Sequence, residues 1–279
     1  MKKKYLRLFF NFLNSQAQVK WTKSDFMIFF LLIPSILLIT FTFPLWLKNH
    51  LILYLQNPTI ISLFFSNYVH TDFFHFLSNL TSYLFIVFLL FNIETNKKNL
   101  YVASFLFLIP LPFILSLAAT HTFPVKMLQG FSGIVSAFMG YFLYATYLFI
   151  KRRYPHHIDI SFLYLLFITN CLIVTLLNLR NLLLFFVILC CFSYLGYTNR
   201  IFIKEFTAKS LIHLKKLKLE ITPLYSFFIF IFSLYSLILG LYFLVPKQLV
   251  SVAGFVASPI HYLGFLFGYF IPQLFRKKD

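Results

Sequence analysis

Apolar runs of about 18 residues or more recur along almost the whole chain, the length an α-helix needs to cross the hydrocarbon core of a bilayer. No water reaches backbone groups inside that core, so a spanning segment must satisfy its own hydrogen bonds, as a helix does. The runs define eight spans, at 26–47, 74–92, 100–118, 131–150, 160–179, 181–197, 224–246 and 251–275. The expected fold class is therefore all-α, a polytopic transmembrane helical bundle. Composition enters as a check. Hydrophobic residues make up 60% of the 279 and only 7 are acidic, too little charged surface for a soluble domain. The basic start Met1–Lys4 is not followed by a small-residue cleavage site, so it does not read as a removable signal. Cys171, Cys190 and Cys191 all fall in apolar stretches and read as small packing or membrane-facing residues rather than disulfide partners. No Cys/His spacing suggests a metal site, and no cofactor is expected.

The net charge of +17 raises the question of nucleic acid, and its distribution argues against it. If the N-terminus is cytosolic, 20 of the 24 Lys and Arg residues fall in cytosolic segments, and only Lys48, Lys126, Arg180 and Lys247 lie outside. Such an excess sets both termini in the cytosol of a multi-pass cell-membrane protein. The basic charge is then a topology signal, with attraction to lipid headgroups secondary. Residues 1–25 read as a basic cytosolic or interfacial segment, 26–275 as the membrane domain and 276–279 as a cytosolic tail. The loop 198–223 interleaves Lys209, Lys215, Lys216 and Lys218 with leucines, the pattern of an interfacial basic helix. The outside loop 48–73 is itself apolar at Leu51–Leu55 and Ile60–Phe65, as a loop partly embedded at the membrane surface would be.

Polar groups inside the hydrocarbon region are costly, so each is a functional candidate. The seven acids fall in loops, at span ends or at the C-terminus. Three polar clusters remain. In the first, His75 and Asn79 share one helix face, with His70 in the loop before them. They serve either to stabilise a developing oxyanion or to hydrogen-bond between helices. In the second, Gly130-Phe131-Ser132-Gly133 puts a serine where loop becomes helix and backbone N–H groups are unpaired. Ser136 and Gly140 continue it as a small-residue stripe, which by itself reads equally as a packing seam. The third is His261 with Gly254, Gly264 and Gly268 on the last span, an imidazole flanked by glycines that admit a neighbouring helix. With a span start near residue 251, His261 lies roughly 15 Å along its axis. Three spans separate the Ser132 and His261 spans, so both run in the same direction with their polar groups in the outer half of the membrane.

Read together, the patterns His70-x4-His75-x3-Asn79, Gly130-x-Ser132-Gly133 and His261-x2-Gly264-x3-Gly268 resemble the rhomboid family of intramembrane serine proteases. The resemblance covers roughly residues 48–275, and Ser66-Asn67-Tyr68-Val69-His70 is similar to archaeal members. It implies a six-span core with two additional spans, and an endopeptidase that cleaves transmembrane or juxtamembrane segments of membrane proteins near the outer face. By that resemblance Ser132 is the nucleophile and His261 the general base. His75, Asn79 and the Ser132 backbone form the oxyanion hole, supported by His70, Gly130 and Gly133. Three departures stand out. Three spans rather than one separate serine from histidine, Ser136 stands where an aromatic residue often packs on the imidazole, and loop 48–73 lacks a Trp-Arg pair. A non-proteolytic rhomboid-like protein that binds membrane clients is the alternative.

Overall fold

The computed structural model describes residues 19–122, 127–153, 158–177, 182–205, 250–251, 254–255 and 258–275. Most of the basic segment 1–25, most of loop 198–223, the expected span 224–246 and the tail 276–279 lie outside the described residues. The chain is largely helical. In order come α1 (Lys23–Thr42), α2 (Leu45–Leu51), β1 (Leu53–Tyr54), α3 (Ile60–Phe65), α4 (Phe73–Ile93), α5 (Lys97–Leu108) and α6 (Pro110–Thr122). Next are β2 (Met127–Leu128), α7 (Ser132–Arg153), α8 (Ile160–Leu177), α9 (Leu182–Thr198), β3 (Val250–Ser251), β4 (Gly254–Phe255) and α10 (Ser258–Leu274). Among the described residues four helical stretches are long and apolar enough to cross a membrane: α1, α4, the α5–α6 pair and α7. This is an all-α protein consistent with a polytopic membrane bundle. It has two compact units, Met1–Phe142 with Gln248–Asp279, and Leu143–Lys247.

Local chemistry sets the helix limits. The Thr22 hydroxyl and the Asp25 carboxylate form a capping box that opens α1. Pro44 holds Phe43 in extended backbone, ψ 144°, which ends α1 at Thr42. The first span expected to reach residue 47 therefore stops short, and residues 45–51 form the separate helix α2. Asp72 caps α4 by accepting the N–H of His75 at 2.7 Å. Pro110 and Pro112 break the third span into α5 and α6. Pro112 has no N–H to offer the Leu108 carbonyl four residues back, and the hydroxyl of Tyr68 donates to that carbonyl instead.

The last helix corrects an expectation. It begins at Ser258, with Pro259 in its first turn, where a missing N–H costs nothing. Gly254 therefore lies off the helix, in β4 opposite Ser251, and takes no part in its packing face. His261 is the fourth residue of α10 rather than the tenth of a longer span, roughly 4.5 Å from its start.

Lipid tails are as apolar as leucine, so helices in a bilayer associate through close packing and hydrogen bonds. In the first unit, Tyr83 lies against Phe131 and Phe138, and Phe138 against Phe107, with ring centroids 5.2–5.7 Å apart. A widened, π-type turn at Met27–Leu32 of α1 leaves the Phe29 carbonyl to accept the Tyr83 hydroxyl at 3.1 Å. At the C-terminal end of α4 sits a second polar group, which the sequence placed in loops and at span ends. Asp25 accepts from Lys97 and Tyr101, and Glu94, fully buried, accepts two backbone N–H groups and the Tyr141 hydroxyl. In the second unit α8 and α9 pair, Asn199 reaches Ser161 at 2.9 Å, and no residue of α9 is buried.

Candidate active site

α7 begins at Ser132, where the chain turns out of a loop. The Phe131 carbonyl accepts the N–H groups of Ile134 and Val135, each at 3.0 Å, and so starts the helix. The first N–H groups of α7 have no partner within the helix. Ser132 is half-buried, and its Oγ lies 2.6 Å from Nε2 of His261, 129 residues away in sequence. Each of the two side chains is within the first four residues of its helix, so they meet at one depth.

Missing side chains make that approach possible. A Cβ on Gly264 would overlap the Gly133 carbonyl, one on Gly268 the Ala137 carbonyl, and one on Gly140 the Phe265 carbonyl. The seam between α7 and α10 thus runs through Gly133, Ala137 and Gly140 against Gly264 and Gly268. Ser136, expected on this seam, is buried, and its hydroxyl donates to the Ser132 carbonyl of its own helix at 2.7 Å. The small-residue stripe includes Gly140 as expected and draws in Gly133 and Ala137 beside it.

His70 is buried in the loop just before α4. Its Nε2 receives the Asn79 amide at 2.8 Å and the Phe131 N–H at 3.2 Å. A backbone N–H only donates, so Nε2 accepts and the ring proton is on Nδ1. Burial, reinforced by the neighbouring His75, holds His70 down at about 3, against the opposing pull of the Tyr68 backbone. His70 is accordingly neutral, and it supports the site by fixing Asn79 and Phe131. The N–H just before, that of Gly130, goes to the Ser66 carbonyl at 2.9 Å. Both N–H groups preceding Ser132 are therefore occupied, and the N–H of Ser132 is the first one left for an anion.

His75 is half-buried and sits over Gly130, its ring 5.1 Å from that of His70. A Cβ on Gly130 would meet His75 Cε1 at 2.6 Å, and the φ of +110° there also demands glycine. Gly133 is similarly hemmed in, by Leu115 at 2.6 Å and Ile260 at 3.3 Å. The structure thus gathers Ser132, His261, His70, His75, Asn79, Gly130 and Gly133 at one end of the first unit, with Gly140, Gly264 and Gly268 closing the helix pair behind them. Gly254, in β4, is not part of that helix pair.

Several contributors escaped the sequence reading. β1 pairs with β2 in the register Leu53↔Leu128 and Tyr54↔Met127, and Gln129 donates to Thr71 at 2.6 Å, so loop 48–73 is tied to the loop leading into Ser132. Asn67 and Tyr68 bond to the broken third span. The signal for the last was the Pro110/Pro112 pair, which leaves a carbonyl in need of a donor. Among the described residues no cluster of His, Cys, Asp or Glu could hold a metal ion. Comparison with protein-family profiles, with curated proteins and with solved structures gives no match.

Proposed function

We propose that the chain is an intramembrane serine endopeptidase of rhomboid type, acting on transmembrane or juxtamembrane segments of other membrane proteins. What carries the reading is the 2.6 Å separation of Ser132 Oγ and His261 Nε2, brought together by a glycine seam. A hydroxyl is a weak nucleophile until a base takes its proton, and an imidazole at hydrogen-bond distance is such a base. Ser132 Oγ attacks the scissile carbonyl and its proton passes to His261 Nε2. The developing oxyanion is met by the Ser132 N–H, His75 and Asn79, whose amide keeps a second N–H beyond the one given to His70. His261 then protonates the leaving amine, and water attacks the acyl-enzyme with His261 again as base.

The same reading puts the site in the outer half of the cell membrane, both termini in the cytosol, and two spans beyond a six-span core. Its substrates are membrane proteins, its surroundings lipid, and it uses no cofactor or nucleic acid. The test is cleavage of a model transmembrane substrate in liposomes, with labelling by a serine-directed fluorophosphonate. Ser132→Ala and His261→Ala are each expected to abolish cleavage and labelling. Cleavage by Ser132→Ala at the parent rate would sink the assignment. A parent that binds the substrate without cutting or labelling would favour a client-binding membrane protein.

A further inference from the structure

The segment Ser66–His70 leads from the short helix α3 towards the long helix α4, yet all five residues are buried. A buried connection must find partners for its polar groups, and this one finds them on three sides. Thr40 of α1 donates to the Tyr68 carbonyl at 2.9 Å. On the broken third span, the Tyr68 hydroxyl takes the Leu108 carbonyl, and Asn67 Nδ2 donates to the Pro112 carbonyl at 3.2 Å and to Ser116 Oγ at 3.0 Å. On the third side the Ser66 carbonyl and the His70 imidazole hold the consecutive N–H groups of Gly130 and Phe131. The segment is a strap, keyed to a break in one span and gripping the two peptide groups that lead into Ser132.

The strap matters because of the conformation it imposes. Gly130 has a φ of +110°, and the hydrogen bonds of α7 reach back only to the Phe131 carbonyl, so the Gly130 and Phe131 N–H groups are held from the strap. The glycine seam sets how closely α7 approaches α10, and the strap holds the turn through which the chain enters α7 at Ser132. Within the strap Asn67 makes two hydrogen bonds to the span and none to Ser132 or His261.

We propose that Asn67 is a positioning residue for Ser132: by locking the strap onto Pro112 and Ser116 it holds the Gly130–Phe131 turn that aims the serine at His261. As a statement about catalysis this rests on the proteolytic reading; as a statement about the turn it does not. Displacing a reacting group by about 1 Å costs up to roughly a hundredfold in rate, so a loosened strap should be visible in turnover before it is visible in stability.

The experiment uses the full chain in liposomes, comparing parent, Asn67→Ala and the milder Ser116→Ala, which removes one of the two acceptors. Turnover and KM are measured on the transmembrane substrate, with thermal midpoint and amide hydrogen exchange at Gly130 and Phe131. For Asn67→Ala kcat should fall about tenfold or more, with KM within about twofold and the midpoint little changed. Exchange at the two amides should rise, and Ser116→Ala should move the same quantities less. Unchanged exchange and unchanged kcat in both variants would overturn the proposal. So would losses of kcat that merely track a falling midpoint. If Asn67→Ala does not fold, Ser116→Ala decides by the same criteria. If the parent itself neither cleaves nor labels, the proteolytic reading fails, and the exchange measurement alone still decides whether the strap holds the turn.

Discussion

The first unit has polar residues at both ends of α4, and the two groups are built on opposite plans. At the C-terminal end each carboxyl group is held by three hydrogen-bond donors. Asp25 accepts from the Thr22 N–H, Lys97 and Tyr101, and Glu94 from two backbone N–H groups and Tyr141. Such a cluster fixes the α4–α5 connection against the start of α1. At the N-terminal end the polar groups are imidazoles, an amide and a hydroxyl, and the one acid, Asp72, is used as a helix cap. There a hydroxyl and an imidazole face each other across helices drawn together by glycines. Carboxyl groups each held by three donors mark the structural end, and a hydroxyl–imidazole pair marks the end proposed to react.

The contrast breaks most easily at the seam. Gly264→Ala or Gly268→Leu places carbon against a backbone carbonyl of α7, which has no side chain to swing aside. The helices must separate, and Ser132 Oγ then leaves hydrogen-bond reach of His261. A loss of about a hundredfold or more in fluorophosphonate labelling is expected. Gly196→Ala, which meets nothing within 4 Å, is the control and should label as the parent does. If Gly268→Leu labelled normally, the seam would not be what sets the dyad.

The two ends should also answer to pH with opposite signs. Burial holds His70 well below its ordinary value of 6.5. The unfolded chain therefore takes up a proton there that the folded chain refuses, and stability is lost as pH falls from about 6.5 towards 3. Burial raises the Glu94 carboxyl above its ordinary 4.5, against the opposing pull of Tyr141 and the Asn96 and Thr95 N–H groups. Its contribution is fully present below that ordinary value and is lost as pH rises through the raised one. Each slope is at most about 1.4 kcal/mol per pH unit. Thermal midpoints in detergent between pH 4 and 7 check this. His70→Gln should flatten the acid-side loss, and Glu94→Gln should remove the loss on the neutral side. Identical profiles for the two variants would erase the distinction between the ends.

How much of this was legible beforehand follows from the kind of interaction involved. Hydropathy located the four long helices because membrane crossing is a one-dimensional property of the chain. Expected spans at 74–92 and 131–150 became Phe73–Ile93 and Ser132–Arg153. Boundaries slipped where proline decides: Pro44 ended α1 early, and Pro259 started α10 late, taking Gly254 off the helix. The motif residues Ser132 and His261 could be named from spacing. The strap could not, since Asn67 and Ser116 are 49 residues apart and share no periodicity. Glu94 was placed at a span end, correctly, but only the fold shows that this end is buried.

The smallest effect separates the two uses of a small residue on α7. The Ser136 hydroxyl bonds the Ser132 carbonyl at 2.7 Å, a bond made within one helix, whereas Gly133, Ala137 and Gly140 serve the contact between helices. Replacing it with alanine removes a hydroxyl whose bond is worth about 0.5–1.5 kcal/mol and leaves the backbone contact through Gly133, Ala137 and Gly140 untouched. Ser136→Ala should therefore keep its labelling rate within about twofold and lower the thermal midpoint slightly. A large loss of labelling would mean that the Ser132 carbonyl needs this bond to hold the first turn of α7. The geometry at Ser132 would then be set from within its own helix, and not by the strap and seam that press on it from outside.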